Sequence, residues 1–108
     1  MRTEQLRRSP ADGATMEQMA QFFKVLGDST RVRLLLRLAD SEQCVSQLAE
    51  GLGLSGSAVS HHLRLLRLNR MAKCRRSGKS IYYSLSDEHV RSALVLVEEH
   101  ILERQSSQ

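Results

Sequence analysis

The stretch from residue 45 to residue 68 constrains the fold most strongly, because it contains two helical patterns joined by a tight turn. Val45–Glu50 predicts a short helix, and Ser57–Leu68 has apolar residues at the three- and four-residue spacing of a second helix. Gly51 and Gly53 lie in the connection between the two. A short helix, a glycine-containing turn and a second helix are typical of the helix-turn-helix motif.

The second helix of this motif has two chemically different faces. One face carries small hydroxyls, an imidazole and two guanidinium groups, which suit the major groove of DNA because arginine reads guanine edges or phosphates and serine allows close approach. The opposite face is mostly apolar. An ordinary surface helix with two arginines is the alternative. The predicted DNA-binding residues on and just before this helix are Ser55, Ser57, Ser60, His61, Arg64 and Arg67.

A predicted β-hairpin follows this helix directly. Residues 71–75 and 80–85 are β-prone runs on either side of a turn that contains Gly78. Arg75, Arg76 and Lys79 cluster at its tip. A basic hairpin beside a recognition helix is typical of a wing that contacts the DNA backbone or minor groove, so these three residues complete the predicted DNA-binding set.

The distribution of charge also favours a polyanionic partner. The chain has 16 basic and 12 acidic residues, yet the segment from residue 51 to residue 86 contains no acidic residue and seven basic ones. Positive charge concentrated in this way attracts nucleic acid. A solvated basic face remains the alternative.

The remaining helices frame this motif within one domain. We expect a flexible tail over residues 1–14, a first helix from about Thr15, a second helix over Arg31–Ala39 and a loop over residues 40–43. Aromatic residues make up only 4% of the chain, with no Trp, which favours a Leu- and Val-rich helical core. The predicted fold is mainly α with a small β-hairpin, a winged helix-turn-helix over residues 15–105.

Cysteine usage and hydropathy indicate the compartment. Cys44 and Cys74 are too few for a disulfide framework, and the N-terminal residues do not form a signal-peptide pattern. No apolar run is long enough to span a membrane. We therefore expect a cytoplasmic protein without a membrane partner.

The last helical pattern, over residues 86–103, carries two stripes. Val90, Leu94, Val97 and Ile101 belong to an apolar face. The second stripe contains His89, His100 and Glu103, and Ser86 or Asp87 can cap the start of the helix. All four polar residues are of types that bind zinc.

The spacing of these four residues requires two chains to complete one metal site. His89 and His100 are 11 residues apart, roughly 16 Å along a helix at about 1.5 Å per residue. Ligands of one zinc ion must all lie about 2 Å from it. Two antiparallel copies would bring Asp87 and His89 of one chain to His100 and Glu103 of the other, twice per dimer. The alternative is a capping Asp, two solvated His and a surface Glu.

Four stretches together resemble the ArsR/SmtB family of winged helix-turn-helix metal-responsive repressors, and in particular its zinc-sensing branch. They are residues 23–35, residues 44–49 (Cys-Val-Ser-Gln-Leu-Ala), residues 57–66 and residues 78–85 (Gly-Lys-Ser-Ile-Tyr-Tyr-Ser-Leu). The resemblance covers about Met16 to Arg104.

The resemblance implies a homodimer built on the first and last helices, bound to an inverted repeat in double-stranded operator DNA. It also implies a metal site made of an Asp-x-His pair and a later His-x-x-Glu, which Asp87, His89, His100 and Glu103 match. In this site the second ring nitrogen of His100 would donate a hydrogen bond toward the backbone near Arg70. Zn²⁺ is the expected cofactor, with Co²⁺ or Ni²⁺ possible for this donor set.

One departure from the family pattern concerns the cysteines. Some relatives hold a second, thiolate-rich site that joins the Cys of a Cys-Val-x-x-Leu motif to further Cys or His residues. Here Ser46 stands where a second Cys would be, and residues 1–13 contain no Cys or His. A site for cadmium, lead or arsenite is therefore incomplete, and we expect Cys44 to cap or pack near the third helix.

The sequence thus predicts a repressor that zinc releases from its operator, with no small-molecule substrate. The alternatives are a repressor of the same family that responds to another metal or to thiol redox state, and zinc that only joins the dimer. An enzyme is not expected, because four protein ligands leave no open position on zinc and no HExxH motif is present.

Overall fold

The computed structural model describes residues 12–106, which form five helices and three strands. In chain order they are α1 (Gly13–Leu26), α2 (Ser29–Asp40), β1 (Gln43–Cys44), α3 (Val45–Leu52), α4 (Gly56–Leu68), β2 (Ala72–Ser77), β3 (Ser80–Leu85) and α5 (Glu88–Ser106). All the predicted helices and the predicted hairpin are present. The winged helix-turn-helix prediction is confirmed.

The first helix begins slightly earlier than its apolar stripe indicates. Asp12 is its N-cap, and the Asp12 carboxylate accepts a hydrogen bond of 2.8 Å from the backbone N–H of Thr15. A carboxylate at this position satisfies one of the free N–H groups of the first turn. Of the predicted tail over residues 1–14, residues 1–11 lie outside the described part of the chain, and Gly13 already belongs to α1.

The sheet has three strands where the sequence predicted two. The segment predicted as a loop over residues 40–43 leads into β1, which pairs antiparallel with β3 through Gln43 with Tyr83 and Cys44 with Tyr82. The strand order is β1-β3-β2. Two residues are too short to show the alternation that reveals a strand, so the loop prediction was wrong on this point.

The core is made of aliphatic side chains from the middle helices, as the composition indicated. Leucines of α2, α3 and α4 meet at its centre, and the start of α5 closes it with Val90 and Leu94. The largest fully buried side chains are Leu34, Leu35, Leu38, Leu48, Leu63, Leu66, Met71 and Val59. This core fixes the recognition helix, α4, against α2 and α3.

The turn between α3 and α4 depends on Gly53. This residue has φ of 68° in the left-handed region and caps the C-terminus of α3, a conformation that glycine adopts without steric cost. From α2, Arg33 donates a hydrogen bond of 3.2 Å to the carbonyl of Leu52. This hydrogen bond connects α2 to the C-terminal end of α3, where the turn of the helix-turn-helix begins.

A polar contact fixes the inner face of α4. Arg31 of α2 donates from Nε to the carbonyl of Val25 at 2.8 Å, and its Nη1 lies 3.5 Å from Nδ1 of the half-buried His62. Asp28 caps α2 by accepting from the N–H of Arg31 at 3.0 Å. These contacts connect the α1–α2 turn to the recognition helix.

Among residues 12–106, helix α5 places buried side chains in the core only near its N-terminal end. Asp87 accepts from the N–H of Val90 at 3.1 Å, and Arg91 donates to the carbonyl of Ala39 at the end of α2. Beyond Leu94, the apolar side chains at positions 95, 96, 97, 101 and 102 are exposed. No helix within residues 12–106 is both long and apolar enough to cross a membrane.

Candidate DNA-binding face and metal-binding helix

The outward face of α4 carries the predicted DNA-binding side chains. Val59, Leu63 and Leu66 are buried on its inner side. Ser57, Ser60, His61, Arg64 and Arg67 are exposed, as the helical periodicity predicted, and so is the apolar Leu68. Their hydroxyl, imidazole and guanidinium groups project from one continuous helical surface, an arrangement that can reach base edges in a major groove.

Ser55 differs from the other serines of this set. It is the N-cap of α4, and its hydroxyl accepts a hydrogen bond of 3.1 Å from the N–H of Ala58. The hydroxyl oxygen is therefore engaged in capping the start of the helix, while its hydrogen remains a donor. A contact of Ser55 with DNA stays a prediction.

A groove separates α4 from β2 on the basic side of the domain. It has a volume of about 610 Å³ and is lined by Arg64, Arg67, Leu68, Ala72, Lys73 and Cys74. Three of these residues are cationic, and none is acidic. Lys73 was not in the predicted DNA-binding set, although it lies within the same acid-free segment of the sequence.

The wing, formed by β2 and β3, presents its basic residues in two different settings. Arg76 and Lys79 are exposed near the turn at Gly78, whose φ is 62°. Arg75 lies further from the tip, opposite Tyr82. Its guanidinium forms an ion pair with Glu42, at 2.6 Å between Nη2 and Oε1. The structure therefore places Arg75 in an internal contact, which no local pattern could have indicated because Glu42 is 33 residues away.

The predicted metal ligands lie at the two ends of α5. At its start, Asp87 Oδ1 and His89 Nδ1 are 3.7 Å apart, and the His89 side chain is 98% exposed. His100 and Glu103 are exposed near its end. No cluster of three or more His, Cys, Asp or Glu side chains able to hold a metal ion occurs within residues 12–106. A single chain thus brings the four ligands together only as two separate pairs.

Exposed apolar side chains lie along α5 between and beside these two pairs. Leu96, Val97, Ile101 and Leu102 of α5 are each about half exposed or more. On α1, a further exposed apolar surface contains Met16, Met19 and Phe23, the last at 63% exposure. Large apolar side chains grouped on two helices are typical of a protein–protein interface.

The two cysteines lie on opposite sides of the central strand. Cys44 pairs with Tyr82 from β1, and Cys74 pairs with Tyr83 from β2. Two strand spacings separate their Cα atoms by roughly 10 Å, whereas a disulfide needs less than about 7 Å. Because Tyr82 and Tyr83 point to opposite faces, the two thiols do as well.

Cys44 also has the capping role that the sequence predicted. It is the N-cap of α3, and its N–H donates a hydrogen bond of 2.9 Å to Oε1 of Gln47. A hydrogen bond with the Ser46 hydroxyl is the main cause that lowers the pKa of the Cys44 thiol. Within residues 12–106, Cys44 belongs to no group of three or more His, Cys, Asp or Glu side chains that could hold a metal ion.

Comparison with known proteins identifies the family. Residues 28–72, from the start of α2 to the start of β2, match the family described as "Bacterial regulatory protein, arsR family". The chain is 42% identical to the cadmium resistance transcriptional regulatory protein CadC homolog of Staphylococcus aureus, over 82% of this chain and 75% of that protein. The chain belongs to the ArsR family.

Other relatives of this ArsR-family chain are also regulators. It is 48% identical to the transcriptional repressor SmtB homolog of Synechocystis, over 81% of this chain and 66% of the relative. It is 43% identical to the regulator KmtR of Mycobacterium tuberculosis, over 71% of this chain and 59% of the relative. These two matches span less than two thirds of the relatives' length. Regulators in this family are not enzymes, in agreement with the sequence analysis.

Solved structures of similar proteins support the same assignment. The homodimeric winged helix-turn-helix DNA-binding domain from Mycobacterium bovis has a TM-score of 0.85 at 26% identity, covering 93% of this chain and 94% of that one. The solution structure of apo-NmtR has a TM-score of 0.72 at 37% identity, covering 85% of this chain and 77% of that one.

Proposed function

We propose that this chain is a homodimeric repressor that binds an inverted repeat in operator DNA and releases it when zinc binds between the subunits. The observation that carries this proposal is the arrangement of α5. Asp87 with His89, and His100 with Glu103, lie at opposite ends of one helix with exposed apolar side chains between them. Each pair is half of a four-ligand site.

A second copy would complete both halves and cover the apolar surface. Two antiparallel α5 helices related by a two-fold axis would join each Asp87–His89 pair to a His100–Glu103 pair from the partner. The exposed apolar residues of α1 and α5 supply the contact area that such a dimer needs. The structural neighbour from Mycobacterium bovis is homodimeric, which supports a dimer for this chain.

The donor set fits zinc. Two imidazoles and two carboxylates give nitrogen and oxygen ligands for a closed tetrahedral site, and the exposed donors in the described chain need little desolvation to bind. When bound, zinc supplies a rigid connection between the two subunits. The same donors accept Co²⁺ or Ni²⁺.

Cadmium is the main alternative metal, because the relative from Staphylococcus aureus is named for cadmium resistance. Soft metals prefer thiolate ligands. Cys44 offers one thiol at the N-terminus of α3, with Ser46 beside it rather than a second cysteine. This single thiol favours zinc at α5 over cadmium at α3. Redox sensing through a Cys44–Cys74 disulfide has little support, because β3 separates the two residues.

The DNA-binding half of the proposal relies on α4 and the wing. A dimer would present two copies of α4 to successive major grooves, which explains why an inverted repeat is the expected site. His100 would couple the metal site to this spacing, because its second nitrogen can donate toward the backbone near Arg70. Helix α4 ends at Leu68 with Asn69 as its C-cap, and Arg70 follows with φ of 56°, so Arg70 lies in the turn that leaves the recognition helix.

The proposal is tested by measuring operator affinity with and without zinc. We expect tight binding by the apoprotein and a loss of affinity as zinc reaches two ions per dimer. Equal affinity in both states would mean that zinc only joins the subunits. Changing Arg64 to Ala should weaken specific binding by about 1–3 kcal/mol if it reads a base. Lys24→Ala, which removes an exposed cation of α1 outside the helix-turn-helix and the wing, serves as the control.

A further inference from the structure

Glu42 and Arg75 form a contact that the DNA-binding proposal does not use. Arg75 donates from Nε and Nη2 to the two carboxylate oxygens of Glu42 at 2.8 and 2.6 Å. Its guanidinium carbon lies 5.2 Å from the centroid of the Tyr82 ring. A guanidinium held by a bidentate carboxylate and an aromatic face has one preferred position. The end of an exposed arginine side chain is usually mobile, whereas these contacts hold the guanidinium of Arg75 in place.

This ion pair crosses the whole sheet. Arg75 lies on β2 opposite Tyr82 of β3, and Tyr82 also pairs with Cys44 of β1. Glu42 stands immediately before β1, so the contact spans from one edge strand to the other over the Tyr82 ring. Two residues after Glu42, Cys44 caps α3, the first helix of the helix-turn-helix. The ion pair thus connects the wing to the segment that begins α3.

The backbone alone provides little connection at this point. β1 has two residues and two paired positions, whereas β2 and β3 are paired along six. A short edge strand contributes few ladder hydrogen bonds and is easily displaced. The Glu42–Arg75 ion pair therefore contributes more to holding the wing against the α2–α3 segment than it would beside a long strand.

The charge of Arg75 is also already compensated. Arg76 and Lys79 make no ion pair with any residue in the range 12–106, but a phosphate could reach Arg75 only by displacing Glu42. The Arg75 hydrogen bond is the main cause that lowers the pKa of Glu42, and the positive charge of Lys73 adds to it. Glu42 is consequently ionised at neutral pH, where DNA binding takes place.

We propose that Glu42 and Arg75 are positioning residues, which hold the wing at a fixed angle to the recognition helix, and that Arg75 does not contact DNA phosphate. This inference rests on the proposed DNA binding. It divides the basic residues of the wing into two groups: Arg76 and Lys79 for the DNA backbone, and Arg75 for the geometry of the wing.

Operator affinity measured over a range of salt concentrations separates the two roles of Arg75. As positioning residues, Glu42→Gln and Arg75→Gln should each weaken binding by roughly twofold to fivefold, the range in which an exposed ion pair acts. The slope of log affinity against log salt should stay at the wild-type value, because no phosphate contact is lost. A double variant with the charges exchanged, Glu42→Arg with Arg75→Glu, should recover most of the affinity.

A direct phosphate contact by Arg75 predicts the opposite results. Arg75→Gln would then flatten the slope by about 0.9, and Glu42→Gln would strengthen binding by removing a competing negative charge. Either result, or unchanged affinity in both single variants, overturns the proposal. Arg76→Gln, one position along the same strand, is the matched control that should flatten the slope, and Glu50→Gln controls for the loss of an exposed carboxylate.

Amide hydrogen exchange without DNA tests the structural role of the Glu42–Arg75 ion pair independently of DNA binding. Glu42→Gln should speed exchange at the β1–β3 pairs and leave the α4 amides unchanged, if the ion pair holds β1 in place. Unchanged exchange at β1 would contradict the role of the ion pair in holding β1, even if the wild-type protein binds DNA. If the wild-type protein binds no DNA but exchange at β1 still increases in Glu42→Gln, the proposed function is wrong and the role of the ion pair is supported.

Discussion

Mixed dimers of two complementary variants give a direct test of the shared metal site. One variant lacks Asp87 and His89, and the other lacks His100 and Glu103, each residue replaced by Ala. The two pairs are roughly 16 Å apart along α5 at about 1.5 Å per residue, whereas all ligands of one zinc lie about 2 Å from it. One chain can therefore supply only two ligands to any site. In antiparallel dimers, each intact site needs the start of one α5 and the end of the other.

The expected zinc stoichiometries follow from this geometry. The wild-type dimer should bind two zinc ions tightly, each variant homodimer none, and the mixed dimer one, because it contains one complete site and one without ligands. Two affinity tags allow the mixed dimer to be purified, and competition with a chromogenic chelator measures its zinc content. Glu98→Gln is the control, since position 98 is about 180° around the helix from His89 and should leave two sites.

Two outcomes would refute this reasoning. Tight zinc binding by either variant homodimer would mean that the ligands come from other residues. A mixed dimer that stays associated in sedimentation experiments but binds no zinc would mean that the two α5 helices do not meet in the antiparallel sense.

Further predictions concern the thiols, the turn of the helix-turn-helix and a helix cap. Cys44→Ser and Cys74→Ser, singly and together, should retain zinc-driven release of operator DNA in a binding assay; loss of the response in the double variant would move the sensor away from α5. Gly53→Ala should lower the free energy of unfolding by about 1 kcal/mol in urea titrations, because its left-handed φ is costly for alanine. Gly56→Ala, whose added Cβ would meet only Val45 at 3.8 Å, should be neutral or stabilising. Asp28→Ala should cost about 1 kcal/mol at neutral pH through the lost cap. The hydrogen bond from the Arg31 N–H lowers the pKa of Asp28, so its contribution is complete above the ordinary carboxyl pKa and is lost as pH falls through the lowered value. Asp28→Asn should keep the cap and lose that acid dependence; an equal acid dependence in Asp28→Asn would contradict this assignment.

The elements that the sequence predicted correctly depend on neighbours within a few residues. The helices follow from apolar spacing. In the structure, caps such as Asp28 and Ser55 act on N–H groups three residues further on. The β2–β3 hairpin follows from its turn at Gly78. The outward and inward faces of α4 follow from helical periodicity, and the structure has Arg64 exposed and Leu63 buried as expected.

The features that the sequence did not predict join residues far apart in the chain. β1 exists because Cys44 meets Tyr82, 38 positions later, and two residues carry no strand pattern of their own. Arg75 has the same local sequence character as Arg76, and only the folded sheet brings it to Glu42. For the metal ligands, the sequence determined the residue types and their spacing on α5. The tertiary structure decided which part of α5 the core buries and which it leaves exposed. Local backbone preferences operate within one helical turn or one hairpin, whereas pairing across the sheet and burial against the core depend on where the other elements pack.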